Sequence, residues 1–300
     1  MSKKRCIVIA GPTAVGKTSL AIAVAQHYST AIISADSRQC FRELNIGVAK
    51  PSAEQLQMVK HYFISSHSIL DEVTAATFEQ YALYSIDQLF KEKDIVVVVG
   101  GTGLYIKAFC EGMDIIPEVQ PSIRAGIADL YEKKGIEWLQ QEIREKDPLF
   151  YETGELQNPQ RLMRALEVLE STGNSIRFYQ QGKKVTRDFD IIKIGLDLPR
   201  EDLYSNINHR VDEMMTAGLL NELQGLKNYE HLNALRTVGY KELFSVIHGS
   251  CTMKQAVELI KKNTRNYAKR QLTWFNKDEN MQWFTPIDSR QVIDFVDNLQ

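Results

Sequence analysis

Apolar residues in the first hundred positions fall in short unbroken runs separated by longer amphipathic stretches. "CIVIA" (6–10), "AIISAD" (31–36) and "DIVVVVGGTG" (94–103) are too short for helices and too continuous for strands with one wet face. Runs of this kind suit strands buried on both sides of a parallel sheet. Between them lie helical patterns, "SLAIAVAQHY" (19–28) and "TFEQYALYSIDQLFKEK" (77–93). The alternation predicts an α/β fold with a doubly wound parallel sheet flanked by helices. After Gly112 the character changes. "MDIIPEVQP" brings two prolines, a charged helical tract covers 122–146, and "RLMRALEVLESTG" (161–173) ends on a glycine stop. A strand-like "IIKIGLDLP" (191–199) then returns, and from Arg200 on the pattern is mostly helical. The expected organisation is a core of 1–113 and 190–300 with a helical insertion domain at 114–189.

Composition changes this picture little. Apolar content of 44% and charged content of 25% are ordinary for a globular protein. A net charge of -2 means that any nucleic-acid binding must come from local basic patches. The cysteines, Cys6, Cys40, Cys110 and Cys251, contain no C-x-x-C pair, so neither a zinc site nor a disulfide framework is expected. The apolar run behind the basic start is too short for a secretion signal, and no stretch is long enough to cross a membrane. A cytoplasmic, soluble protein is expected.

The first chemistry is in "GPTAVGKT": Gly11, Pro12, Thr13, Ala14, Val15, Gly16, Lys17 and Thr18. They fill the pattern G-x-x-x-x-G-K-[ST], in which glycines let backbone N–H groups curl around a phosphate, lysine adds a point charge and the hydroxyl binds Mg²⁺. A strand before the loop and a helix after it are the context this needs. Asp36 ends the second apolar run, where a carboxylate can be a general base, a magnesium ligand or a helix cap. The third run ends in Gly100, Gly101 and Thr102, where an ATPase or motor would place an acid. This glycine pair offers either backbone N–H groups beside the Thr102 hydroxyl, as a second anion or base contact, or a plain tight turn.

With "GPTAVGKTSLA", "ISADSRQCFRELNIGVAKPS", "VVVVGGTGLYIKAFCEG", "NPQRLMRALEV", "RTVGYKEL" and "AKRQLTWF" in this order, the chain resembles the bacterial tRNA dimethylallyltransferases from the phosphate loop to about Phe275. The resemblance implies transfer of a dimethylallyl group from dimethylallyl diphosphate to the exocyclic amine of the adenine 3′ of the anticodon, with Mg²⁺ as cofactor. It implies a diphosphate in the loop as leaving group, Asp36 as general base, Lys17 and Thr102 as catalytic partners, Thr18 as metal ligand and Arg210 beside the diphosphate. Contacts to the tRNA anticodon stem-loop fall by the same resemblance on Asp36, Ser37, Arg38, Gln39, Thr102 and Arg124. They also fall on Gln160, Arg161, Leu162, Met163 and Arg164, on Arg236, Thr237, Val238, Gly239, Tyr240 and Lys241, and on Lys269 and Arg270. The family default is a monomer.

On the late basic helix, Lys261, Lys262, Arg265 and Lys269 share one arc, which suits RNA phosphates or a solvated face. Trp274 is available to pack or stack. Val48 stands where the family has threonine, and Phe41 where it has tyrosine. The zinc finger of eukaryotic relatives is absent. Rival functions are an adenylate isopentenyltransferase, a small-molecule kinase with Asp36 taking a hydroxyl proton, and an RNA-binding module with a vestigial loop.

Overall fold

The computed structural model describes residues 3–285 and 288–299. The chain divides into two compact units, one of 1–111 with 186–300 and one of 112–185.

In the larger unit, β1 (Arg5–Ala10), β2 (Ile32–Ser34), β3 (His61–Tyr62), β4 (Ile95–Gly100), β5 (Asp190–Leu196) and β6 (Gln282–Phe284) form one parallel sheet in the order β3-β2-β4-β1-β5-β6. The helices beside them are α1 (Lys17–His27), α2 (Ala53–Met58), α3 (Ala75–Leu89) and α4 (Gly103–Glu111). Four more follow the smaller unit: α8 (Arg200–Thr216), α9 (Leu219–Gly225), α10 (Tyr240–Ile247) and α11 (Met253–Phe275), with α12 (Ser289–Asp297) last.

The unbroken apolar runs are explained by the two layers they serve. Strand side chains alternate between faces. Cys6, Val8 and Ala10 of β1, with Val96 and Val98 of β4, pack under α3, α4, α10 and α11. Ile7 and Ile9, with Val97 and Val99, pack under α1, α8 and α12. Because both faces are dry, no polar residue interrupts the runs. The expected strand at 31–36 closes at Ser34, so Asp36 lies two residues beyond it on the rim. β3 and β6 were not legible, being only two and three residues long.

At the rim β2 and β4 approach very closely. A β-carbon on Gly100 would overlap the Ala35 carbonyl, and one on Gly101 would overlap the Gln271 amide. The "GGTG" segment is thus a packing solution, and the Thr102 N–H is spent on the Ala35 carbonyl at 3.3 Å.

The smaller unit holds α5 (Pro121–Lys146), α6 (Pro148–Thr153) and α7 (Pro159–Thr172) around a core that includes Ile127, Leu139, Ile143, Leu162 and Leu166. Each helix carries a proline in its first turn, where the missing N–H costs nothing. Asp147 and Asn158 cap α6 and α7 through their side chains. The expected helical tract over 122–146 is broken at Gly135, whose φ of 75° and ψ of -170° are not helical.

Two glycine substitutions report the difference between the two environments. Gly100→Ala should destabilise the protein by about 3 kcal/mol, since the neighbours are backbone that cannot step aside. Gly126→Ala, on α5 with open space around it, should stabilise by about 1 kcal/mol through helix propensity alone. Urea unfolding of both variants against wild type checks the pair.

Candidate active site

The phosphate loop joins β1 to α1. Gly16 takes the left-handed conformation (φ 101°) at the start of α1, with no side-chain cap and no acidic residue in the first turn. The helix end, with its unpaired N–H groups and positive dipole, is therefore left for an anion. Not every loop amide is available: the Thr13 N–H donates to Gln271 Oε1 at 2.9 Å. Gln271 Nε2 donates in turn to the Gly101 carbonyl at 2.8 Å, tying the loop to the end of β4. No motif logic singled out Gln271, although it lies inside the "AKRQLTWF" segment.

Two cations face this loop. Lys17 Nζ donates to the Pro12 carbonyl at 2.6 Å, and Arg210 on α8 donates to Thr13 Oγ1 at 3.2 Å and to the Ala49 carbonyl at 3.5 Å. Burial first, then the positive charge of Arg210, pulls the Lys17 ammonium down to about 7, with Asp36 acting in the opposite direction. Burial also lowers Arg210, against the pull of Asp36 and Glu213.

Asp36 Oδ1 accepts the N–H groups of Arg38 at 2.8 Å and Gln39 at 3.2 Å. One carboxylate oxygen thus does the capping work of an Asx turn, while Oδ2 has no hydrogen bond among the described residues. The Ser37 N–H donates to Thr102 Oγ1 at 3.1 Å, and Tyr267 on α11 lines both crevices beside Asp36. Burial and Asp36 push the Tyr267 phenol up to about 12, so it stays a neutral hydrogen-bonding group. Gln39 is engaged inside the fold: its amide donates to the Val48 and Ala49 carbonyls at 3.3 and 3.0 Å and accepts from Ser34 Oγ at 3.1 Å. Gln39, expected as a tRNA contact, instead has its side-chain amide clamping the neighbouring loop.

Two crevices meet at Asp36. One, of about 540 Å³, is lined by the loop residues Thr13, Gly16, Lys17 and Thr18. The other, of about 510 Å³, is lined by Ser37, Arg38, Arg236, Thr237, Val238, Gly239, Lys241 and Arg270. Thr13, Asp36, Val48, Ala49, Arg210 and Tyr267 line both. An anion held by the loop and a group entering the second crevice would face each other across one carboxylate.

Several expected contacts are corrected by burial. Tyr240 is fully buried, with its hydroxyl donating to Glu222 Oε1 at 2.6 Å, and Leu162 is fully buried in the smaller unit's core beside Met163 at 9% exposure. These side chains cannot meet RNA, because packing has already used them. Phe41 is likewise core. Of the arginines in the smaller unit, Arg124 and Arg164 both pair with Glu167, at 3.7 and 3.3 Å, and Arg161 pairs with Glu155 at 2.8 Å. Gln160 is exposed. The late basic arc is also divided. Lys261 pairs with Asp212 at 2.7 Å and Arg265 donates to Asn208 at 2.6 Å, whereas Lys262, Lys269 and Arg270 are exposed.

Comparison with known proteins points the same way. A family model described as IPP transferase matches residues 39–278. The chain is 47% identical to the tRNA dimethylallyltransferase of Flavobacterium johnsoniae over 305 aligned residues, covering 99% of each chain. It is 44% identical to that of Cytophaga hutchinsonii over 294, covering 98% of this chain and 97% of the other. The crystal structure of a tRNA isopentenylpyrophosphate transferase from Bacillus halodurans superposes with a TM-score of 0.72 at 30% identity, covering 98% of this chain and 96% of that one. A eukaryotic dimethylallyltransferase acting on tRNA superposes at 0.80 with 23% identity, a likeness of fold, over 98% of this chain and 80% of that one.

The depressed Lys17 generates a pH prediction. To hold a diphosphate, Lys17 must be protonated, and above about pH 7 the free protein carries it increasingly neutral. The affinity advantage of wild type over Lys17→Ala for inorganic diphosphate should shrink by up to about tenfold per pH unit between about pH 7 and about pH 9. Calorimetric titration of both proteins measures the ratio and cancels the ligand's own ionisation.

Proposed function

The chain belongs to the IPP transferase family, and on that premise we propose that it transfers a dimethylallyl group from dimethylallyl diphosphate to the exocyclic amine of the adenine 3′ of the anticodon in tRNA. The observation that carries this is the meeting of the two crevices at Asp36. The phosphate-loop crevice suits the diphosphate donor. The crevice walled by Arg38, Arg236, Lys241 and Arg270 suits a nucleotide drawn out of the anticodon loop, since a base in a stacked loop must be extruded before chemistry can reach it.

The chemistry follows from what each residue can do. As the allylic C–O bond breaks, negative charge gathers on the departing diphosphate. The α1 N-terminus, Lys17 and Arg210 line that crevice and supply positive charge to it. The adenine amine is a poor nucleophile, because its lone pair is delocalised into the ring. Asp36, held in place by two backbone N–H groups, takes its proton through the other oxygen as the C–N bond forms. Thr102, held by Ser37, offers a hydroxyl for that amine. Of the smaller unit, Arg124, Gln160, Arg161 and Arg164 are the polar candidates for contact with the stem-loop.

Mg²⁺ fits the donor set. No group of three His, Cys, Asp or Glu residues forms a protein cage among the described residues. Mg²⁺ needs none, taking one or two protein oxygens with substrate phosphates and water. Thr18, with Ser19 in the same crevice, would hold it, and it would supply neutralisation of the leaving group's charge. Arginine and lysine on the second crevice's wall, and no further phosphate loop, favour RNA over a free nucleotide as acceptor.

Mass spectrometry of an anticodon stem-loop incubated with protein, Mg²⁺ and dimethylallyl diphosphate tests the function, with AMP and ATP in parallel as alternative acceptor and donor. A gain of one dimethylallyl group on the RNA alone is expected. Prenylated AMP, or consumption of ATP, would replace this reading with one of its rivals. In the same assay Asp36→Asn should lower turnover by about 10²–10⁴-fold while stem-loop affinity stays within about threefold of wild type. Turnover near wild type would remove Asp36 as the base.

A further inference from the structure

Glu222 lies on α9, outside every segment that the sequence motifs pick out. Its carboxylate accepts four hydrogen bonds. Oε2 takes the N–H groups of Asn45 and Ile46, at 2.9 and 2.8 Å. Oε1 takes the Gly47 N–H at 3.1 Å and the Tyr240 hydroxyl at 2.6 Å. Three consecutive backbone N–H groups converging on one carboxylate form an anion nest, and bonds to a charged acceptor are roughly twice as strong as neutral ones.

The two partners of this carboxylate lead to opposite walls of the site. Gly47 is followed by Val48 and Ala49, which line both crevices and whose carbonyls hold Gln39 and Arg210. Tyr240 directly follows Arg236–Gly239, which line only the second crevice. The walls also touch, since a β-carbon on Gly47 would overlap the Tyr240 ring. A clamp serving the fold alone would not need its bonds shared between the segment that meets the acceptor and the loop that positions Arg210.

We propose that Glu222 is a positioning residue that, through Tyr240, joins the acceptor wall to the donor wall, so that seating RNA on Arg236–Gly239 sets Ala49 and Arg210 for the diphosphate. The proposal rests on the transferase reading above. Its content is a coupling between two binding events, carried by two sets of hydrogen bonds, Tyr240 hydroxyl and Gly47 N–H on the Glu222 carboxylate and Arg210 guanidinium on the Ala49 carbonyl, joined by the short backbone segment Gly47–Ala49.

The test is binding of inorganic diphosphate with and without the anticodon stem-loop, in wild type, Glu222→Gln and Tyr240→Phe. Wild type should bind diphosphate at least about fivefold more tightly when the stem-loop is present. In both variants that factor should fall to about one, with stem-loop affinity alone changed by less than about threefold. Tyr240→Phe removes one oxygen and leaves the three N–H bonds, so it keeps the test open if Glu222→Gln does not fold. A factor near one in wild type, an undiminished factor in folded Tyr240→Phe, or a parallel loss of both affinities and of melting temperature would each overturn the proposal. Failure of the transferase reading is seen separately, as a wild-type protein that transfers no prenyl group to the stem-loop.

Discussion

The approach of β2 to β4 at Gly100, too close to admit a β-carbon, is the constraint on which the rest of the catalytic unit depends. It brings the turn after β2 against the turn after β4, so that Ser37 reaches Thr102 and Asp36 is held at the rim by the backbone of Arg38 and Gln39. It also leaves space that Gln271 fills, with one amide bonded to Thr13 and to Gly101. The phosphate loop, Asp36 and the Thr102 hydroxyl are therefore positioned by three strand ends and one glutamine, all on regular elements or their first turns. Packing of this density transmits displacement instead of absorbing it.

Electrostatically the first crevice concentrates positive charge. Lys17 and Arg210 face the same helix N-terminus, and each is discouraged from carrying charge by burial. Asp36 and Glu213 are the acids that oppose them. A multiply charged anion resolves this conflict. In the proposed reaction the strongest resolution comes as the diphosphate leaves with its full charge, which is when catalysis needs it.

How much of this was legible depended on whether a residue's role was local. The strands at Cys6–Ala10 and Ile95–Gly100 announced themselves, because burial on two faces leaves a one-dimensional trace. So did Gly16, Lys17 and Thr18, whose spacing is set by a single turn. Asp36 was legible as a rim carboxylate, and the structure shows its cap on one oxygen, which leaves the other for the proposed role as base. Tyr240 and Leu162 were misread as RNA contacts, because a motif records that residues are needed together and not which of them face outward. For Lys261 and Arg265 helical spacing left RNA phosphates and a solvated face both open, and Asp212 and Asn208, some fifty residues earlier in the chain, bond to them. Gln271, Glu222 and Tyr267 carried no local signal, since each acts on segments far away in the chain.

The two crevices opening on a shared carboxylate bear on traffic as well as on chemistry. If a small donor and a large RNA used one mouth, each exchange of the small molecule would require the large one to leave. In the proposed reaction, separate mouths let spent diphosphate and modified RNA depart without crossing paths, and let a fresh donor enter without disturbing a macromolecule already seated. The order of arrivals and departures is then set by how each mouth responds to its own occupant, a freedom that a single-mouthed pocket of the same volume does not have.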